Sequence, residues 1–277
     1  MVATNIRKEA REALTNKWIK GIAIILLEGL ITVVMTGIIN AFKDESIFRT
    51  IFSIIETIVQ VPLSIGVIFS FIKLKRNEEV NCYDFIKIAY ENFSRAWALY
   101  FRVILKMIIP IICIIVAIIL VTTLFLAGGT AGMVQSAGER GLGLLTLGVI
   151  IYVVALTYAV MMGLKYALTF FIAYDNKDMS AKEVVEKSEK LMVGHRGDLF
   201  LLNLSFLGWE ALCFVPGIFF AIMSVFNLGF LALVLICRIA AGVGMLFIAV
   251  YVQTANICFY DDVLNLNKEA EVITDKE

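Results

Sequence analysis

The chain has 277 residues, of which 60% are hydrophobic and 17% charged, and its formal net charge is zero. A soluble domain carries about 45–50% apolar and about 25% charged residues, so this composition does not fit an ordinary soluble fold. A neutral chain also lacks the global electrostatic footprint of a nucleic-acid-binding protein, and no nucleic-acid partner is expected.

The chain opens with Arg7, Lys8, Arg11, Lys17 and Lys20, among which Ile6, Ala10, Ala13 and Leu14 share one helical face. Six apolar runs follow, at roughly Trp18–Ile39, Ile47–Ile72, Leu99–Ala127, Gly143–Ala173, Leu199–Ile222 and Gly229–Tyr260. A hydrocarbon core about 30 Å thick needs about 20 apolar residues, and these runs meet or exceed that length. The first run is longer than the ~7–15-residue core of a secretory signal and has no small-x-small site after it. It reads as a first, uncleaved membrane helix.

Two further stretches repeat the amphipathic pattern before a run. Phe85, Ile88, Ala89 and Phe93 recur after Asp84; Val184, Val185, Ser188, Leu191 and Met192 recur after Ser180. Ser180 with Glu183 forms a Ser-x-x-Glu capping box. Trp18 and Trp97 follow two of these helices, at the depth of an aromatic belt. The predicted fold is an all-α membrane protein with about six transmembrane helices. They form three hairpins, each preceded by an amphipathic cytoplasmic helix. Residues 1–264 read as one polytopic membrane domain, and 265–277 as a short, polar, disordered cytoplasmic tail. The likeness of Glu12–Trp18 to Glu91–Trp97 points to one unit used three times. The alternative stays open: any six-helix chain with both ends on one side makes three hairpins.

Lys and Arg set the orientation. They crowd the leading segment, the second loop with its flanking helix (Lys73, Lys75, Arg76, Lys87, Arg95, Arg102, Lys106) and the fourth loop (Lys177, Lys182, Lys187, Lys190, Arg196). The alternate loops hold little beyond Lys43, Arg49 and Arg140. The positive-inside rule then places both termini in the cytoplasm. Between Gly128 and Gly143 the glycines mark a flexible outer turn, with no Gly-Lys-Ser/Thr phosphate loop.

Ionisable residues inside the runs are the positions with most to say about function. A charge at mid-bilayer costs at least about 2.5–3.5 kcal/mol on insertion scales, so it normally faces protein or water with a partner. Measured from the ends of their runs at 1.5 Å per residue, Glu28, Glu56, Glu210 and Arg238 all fall about 14–17 Å deep. They are a candidate intramembrane polar cluster, with Arg238 pairing to one or more of the glutamates beside Gln60 and Asn227. An ion pair fixing helix register is one reading of it, and a proton or substrate pathway the other. Lys106 and Lys165 lie nearer the cytoplasmic side and can snorkel to water.

Other chemistry-bearing residues are isolated. Of five cysteines, Cys113, Cys213, Cys237 and Cys258 lie in runs and Cys82 lies outside; none forms a CxxC pair. They read as small apolar residues. His195 is the single histidine and has no metal-ligand spacing around it. No His-Glu-x-x-His helix or Gly-x-Ser-x-Gly elbow occurs, and no carboxylate pair stands at catalytic spacing. No catalytic residue, cofactor or metal is expected, and the chain does not read as an enzyme. Pro62, Pro110 and Pro216 lie inside runs and mark candidate kinks.

The stretch Ser188-Glu-Lys-Leu-Met192-Val-Gly194-His195 is followed by Leu199-Phe200-Leu-Leu-Asn-Leu-Ser205-Phe206-Leu-Gly208-Trp209, and the last run ends in Phe259-Tyr260. Together these resemble the bacterial integral membrane family filed as domain of unknown function 975. The opening Arg7-Lys-Glu-Ala-Arg-Glu-Ala-Leu14 with Trp18 is similar as well. Two departures stand out. Pro110-Ile111 occupies a place where the family often has Pro-Gly, and Val250-Tyr251 one where it often has Pro-Tyr. The resemblance implies a multi-span bacterial plasma-membrane protein and supplies no activity.

Three functions follow as expectations. The first is a non-enzymatic scaffold that binds membrane lipids and a cytoplasmic or membrane protein partner through its amphipathic helices. The second is a small transporter or channel using the Glu/Arg level, of unknown substrate. An enzyme acting on lipid is the third.

Overall fold

In lipid every backbone N–H and C=O must be paired within its own segment, so long apolar stretches become helices. A computed structural model of the chain describes residues 3–42, 46–129 and 138–274. Among these the regular structure is entirely helical. The helices are α1 (Ala3–Ala13), α2 (Trp18–Ala41), α3 (Ser46–Lys75), α4 (Asp84–Glu91), α5 (Phe93–Gly129), α6 (Gly138–Lys165), α7 (Thr169–Asp175), α8 (Ala181–Leu191), α9 (Arg196–Phe226) and α10 (Leu231–Thr274), with a 3-10 turn at Leu228–Phe230. Six of them, α2, α3, α5, α6, α9 and α10, are long and apolar enough to cross a membrane. The chain is a multi-pass membrane protein.

Local chemistry sets the ends of the helices. α3 stops in a Schellman motif: Glu78 N–H bonds the Lys73 carbonyl at 3.0 Å, Asn77 N–H bonds that of Leu74 at 3.4 Å, and Asn77 takes a left-handed φ of 60°. α8 begins at the Ser180–Glu183 capping box, with both reciprocal bonds formed. Gly194, at φ 83°, makes the turn from α8 into α9, a conformation that penalises any Cβ. α10 runs through to Thr274, so the segment expected to be a disordered tail is helical to that point. No Gly or Pro follows Gly244 to stop it, and Asn267 bonds back to the Val263 carbonyl. Residues 130–137 of the Gly-rich turn lie outside the described residues. α3, α5 and α9 continue through their prolines.

The long helices pack in chain order. α2 lies on α3, α5 on α6 and α9 on α10; α3 then touches α5, α6 touches α9, and α10 returns to α2, closing a ring. The short helices gather at one end. α4 packs on α3, α8 on α5 and α7, and α1 on α10 and α9. α4 and α8 therefore each rest on the helix pair before them, α1 rests on the last pair, and the contacts close cyclically, while α7 packs on α3 and α8.

This end, the cap, holds the core. Ile6, Leu14, Phe71, Phe85, Val184, Phe206 and Tyr260 are each buried there to 2% exposure or less. α3 and α4 meet most closely at Gly66, where an added Cβ would stand 2.2 Å from the Phe85 carbonyl oxygen. Away from the cap the long helices present Ile, Val, Leu and Phe outward, as lipid-facing surfaces do.

Candidate functional site

Two polar structures stand out against this apolar frame. The first runs along the contact between α2 and α3. Gln60 Nε2 donates to Glu28 Oε1, Thr32 Oγ1 lies 3.3 Å from Gln60 Oε1, and Thr36 Oγ1 donates to Glu56 Oε1 at 3.0 Å. The seam follows from spacing: Glu28, Thr32, Thr36 and Asn40 recur every four residues on α2, opposite Gln60, Glu56 and Ser53 on α3. Each end opens into a cleft. Toward the cap, Glu28, Ser64, Glu210 and Gln253 line one of about 430 Å³. Toward the far end, Thr36, Asn40, Arg49, Ser53 and Glu56 line another of about 420 Å³.

The four residues expected to cluster are thus only partly together. Glu28 and Glu210 share one cleft, and Glu56 sits two turns further along the seam. Arg238 lines a neighbouring cleft between α9 and α10, beside Cys213, Gly217 and Cys237, which shares only Met245 with the Glu28–Glu210 cleft. It is exposed, and among the described residues it forms no ion pair. Depth counted from run ends puts all four at one level only if every run begins in one plane. The packing register differs. Cys213 meets Gly244 and Cys237 lies at Gly217, so Arg238 stands about 10 Å along α10 from Met245 of the Glu28–Glu210 cleft.

The second structure is an ion knot where α3, α7 and α10 converge in the cap. Lys75 Nζ lies 2.6 Å from Asp261 Oδ2 and 3.1 Å from Glu9 Oε1. Arg76 forks onto both oxygens of Asp175 and stands 3.5 Å from Asp261. Tyr260 OH donates to Asp175 Oδ2 at 2.9 Å, and the Arg76 guanidinium lies over the Tyr174 ring. The bond to Asp175 holds the Arg76 guanidinium even more firmly protonated than usual. A half-buried, bidentate pair of this kind carries geometric specificity. Sequence reasoning missed it. The signal was an internal likeness: Phe71-Ile-Lys-Leu-Lys75, Phe171-Ile-Ala-Tyr-Asp175 and Ile257-Cys-Phe-Tyr-Asp261 each end an apolar stretch on a charge. The three charged ends meet in the knot.

The motif residues divide between core and lipid face. Met192, Phe206, Phe259 and Tyr260 are buried in the cap; Phe206 meets Tyr251 edge-on at 5.0 Å, and Tyr260 stacks on Phe171. Ser205 Oγ donates to the Leu202 carbonyl at 2.6 Å within its own helix. Phe200 and Trp209 face outward, and nothing stands within 4 Å of a Cβ placed on Gly208. Cys258 is buried beside the knot, and the cysteines are free thiols. His195 Nδ1 lies 3.8 Å from Asp198. Among the described residues no three His, Cys, Asp or Glu side chains converge as metal ligands.

No curated protein and no solved structure matches the chain. A family match spans residues 1–267, almost the whole length. The chain belongs to the family described as protein of unknown function, DUF975.

Proposed function

We propose that this is a protein of the bacterial cytoplasmic membrane, with its cap and both termini in the cytoplasm, that works as a non-enzymatic scaffold for a protein partner. The observation that carries this reading is where burial lies. The packed core is in the cap, while the spans expose apolar side chains along most of their length. A body consolidated on one membrane face is built to present a surface. The basic residues of α1, the end of α3 and α4 belong to this end, which supports the cytoplasmic orientation. On α4, Phe85, Ile88 and Ala89 are buried, while Ile86 and Tyr90 lie exposed on the other face, with exposed Tyr83 and Phe93 at its two ends; Phe93, expected on the buried face, starts α5 instead. Uncovered apolar stripes of this kind mark interaction surfaces.

Photo-crosslinking in cells from position 90 tests the scaffold. The expected result is one discrete protein adduct, lost in Ile86→Asp. Adducts to lipid alone would overturn it.

The polar seam favours a second reading, a small transporter or channel. Half-buried Glu28, Thr32, Gln60 and Glu56, with exposed Thr36 beside them, form a polar track along two spans, and such residues often mark pathways. Proton or ion flux into liposomes that disappears in Glu28→Gln would replace the scaffold with this reading.

A further inference from the structure

Where α6 ends and α9 begins, the cap carries a further cavity that the scaffold does not use. It measures about 280 Å³ and is lined by Val160, Gly163, Leu164, Ala167 and Leu199, with Asn203 and Asn256 as its polar members. Its walls come from α6, α7, α9 and α10. Asn256 Oδ1 is buried without a hydrogen-bond partner.

Arg196 stands one turn before Leu199 and two before Asn203, on the same face of α9 and one turn cap-ward of the cavity's lining. Its Nε is buried with no acceptor. Lys165, next in the chain to Leu164, bonds Glu189 of α8. Lys106, Lys165 and Arg196 all act electrostatically on Glu189, whose carboxyl is held below its usual range, first by its bond to Lys165. Three cations therefore act on one carboxylate, which only Lys165 bonds directly. The other nearby acid, Asp198, lies 3.8 Å from His195. The mouth has an excess of positive charge and an unsatisfied guanidinium donor, and the cavity behind it is apolar apart from Asn203 and Asn256 and sits at the level where the spans enter the cap.

We propose that this crevice binds an anionic phospholipid. The headgroup phosphate is held by Arg196 and Lys165 with Lys106 beside them, and one acyl chain lies between α6 and α9. Basic pockets between membrane helices at the cytoplasmic surface recognise anionic headgroups in this way. The occupant must supply both an anion and an aliphatic chain, because the charged mouth opens directly into an apolar cavity. A free soluble anion would use only the first half of the site.

Native mass spectrometry of the detergent-purified chain tests this, with dioleoyl phosphatidylglycerol and dioleoyl phosphatidylcholine added in equal amounts. The expected result is preferential retention of phosphatidylglycerol, falling about tenfold in Arg196→Gln/Lys165→Gln. Gly163→Leu should abolish retention with every charge kept, since nothing stands within 4 Å of a Cβ there and the larger side chain grows into the cavity. Size-exclusion profiles identify any variant that has lost its fold; the double variant and Gly163→Leu act by different means, so either alone tests the site. Equal retention of the two lipids would overturn the proposal, as would retention untouched by both variants. Displacement of the lipid by millimolar inorganic phosphate would also overturn it, marking a site for a soluble anion.

Discussion

Tyr260 shows how much one side chain ties together here. It is buried against Phe171 and donates its hydroxyl proton to Asp175, which Arg76 grips from α3. A hydrogen bond to a charged group is worth about 1.5–3 kcal/mol. Asp175 keeps part of its surface exposed, so Tyr260→Phe is expected to cost about 1–2 kcal/mol. Unfolding titrations in mixed micelles measure this, and combining the change with Asp175→Asn should be less than additive. Two acids outside the spans give the cap a pH dependence. Glu183 is held below its ordinary range by the Ser180 backbone N–H and hydroxyl, and Glu189 by Lys165. Both bind fewer protons in the folded cap than in the unfolded chain, so stability rises with pH through their range. Their contribution is fully present above about pH 4.3, the ordinary glutamate value, and is lost as pH falls through the lowered folded values. Hydrogen exchange at α8 should accelerate below that pH, and less steeply in Glu189→Gln.

At the scale of elements, the contacts between helices depend on what stands at each meeting point. α4 can lie on α3 only because Gly66 lacks a side chain. Gly66→Ala forces the Phe85 backbone to move, and overpacking of this kind costs about 1–3 kcal/mol. Limited proteolysis between Lys73 and Lys87 should become faster, with the other loops unchanged. The α2–α3 seam is a weaker tie. Interhelical hydrogen bonds in membranes average about 0.6 kcal/mol, and Gln60→Leu is expected to cost no more than about 1–2 kcal/mol. A larger loss in the same micelle titration would show that Glu28 is left without any other partner. The seam was half legible in sequence. Glu28, Glu56 and Gln60 were picked out as costly residues in lipid, but Thr32 and Thr36, the groups that connect them, carry no cost that would draw notice.

For the whole molecule, the cyclic packing of α1, α4 and α8 makes the cap one body whose parts come from the entire chain. The cytoplasmic placement proposed for that body predicts which residues a membrane-impermeant maleimide can reach. In a background with its five cysteines replaced, Asn77→Cys should react only in inside-out vesicles and Asn227→Cys only in right-side-out ones. The reverse pattern would turn the topology over. The six long apolar helices and most of their ends were legible in the sequence alone, but the break between α6 and α7 inside the fourth run and the extension of α10 to Thr274 were not. Apolar length and the absence of breakers act locally, residue by residue, and lipid leaves the backbone no other way to pair. Meeting partners were not legible. Lys75, Asp175 and Asp261 lie far apart in the chain, Arg238 and Glu210 share a depth only by count, and Arg196 and Lys165 gain their meaning from a cavity between helices. Such contacts depend on which face each helix turns to its neighbours and on the register between them, and that is settled only when side chains from distant segments pack together.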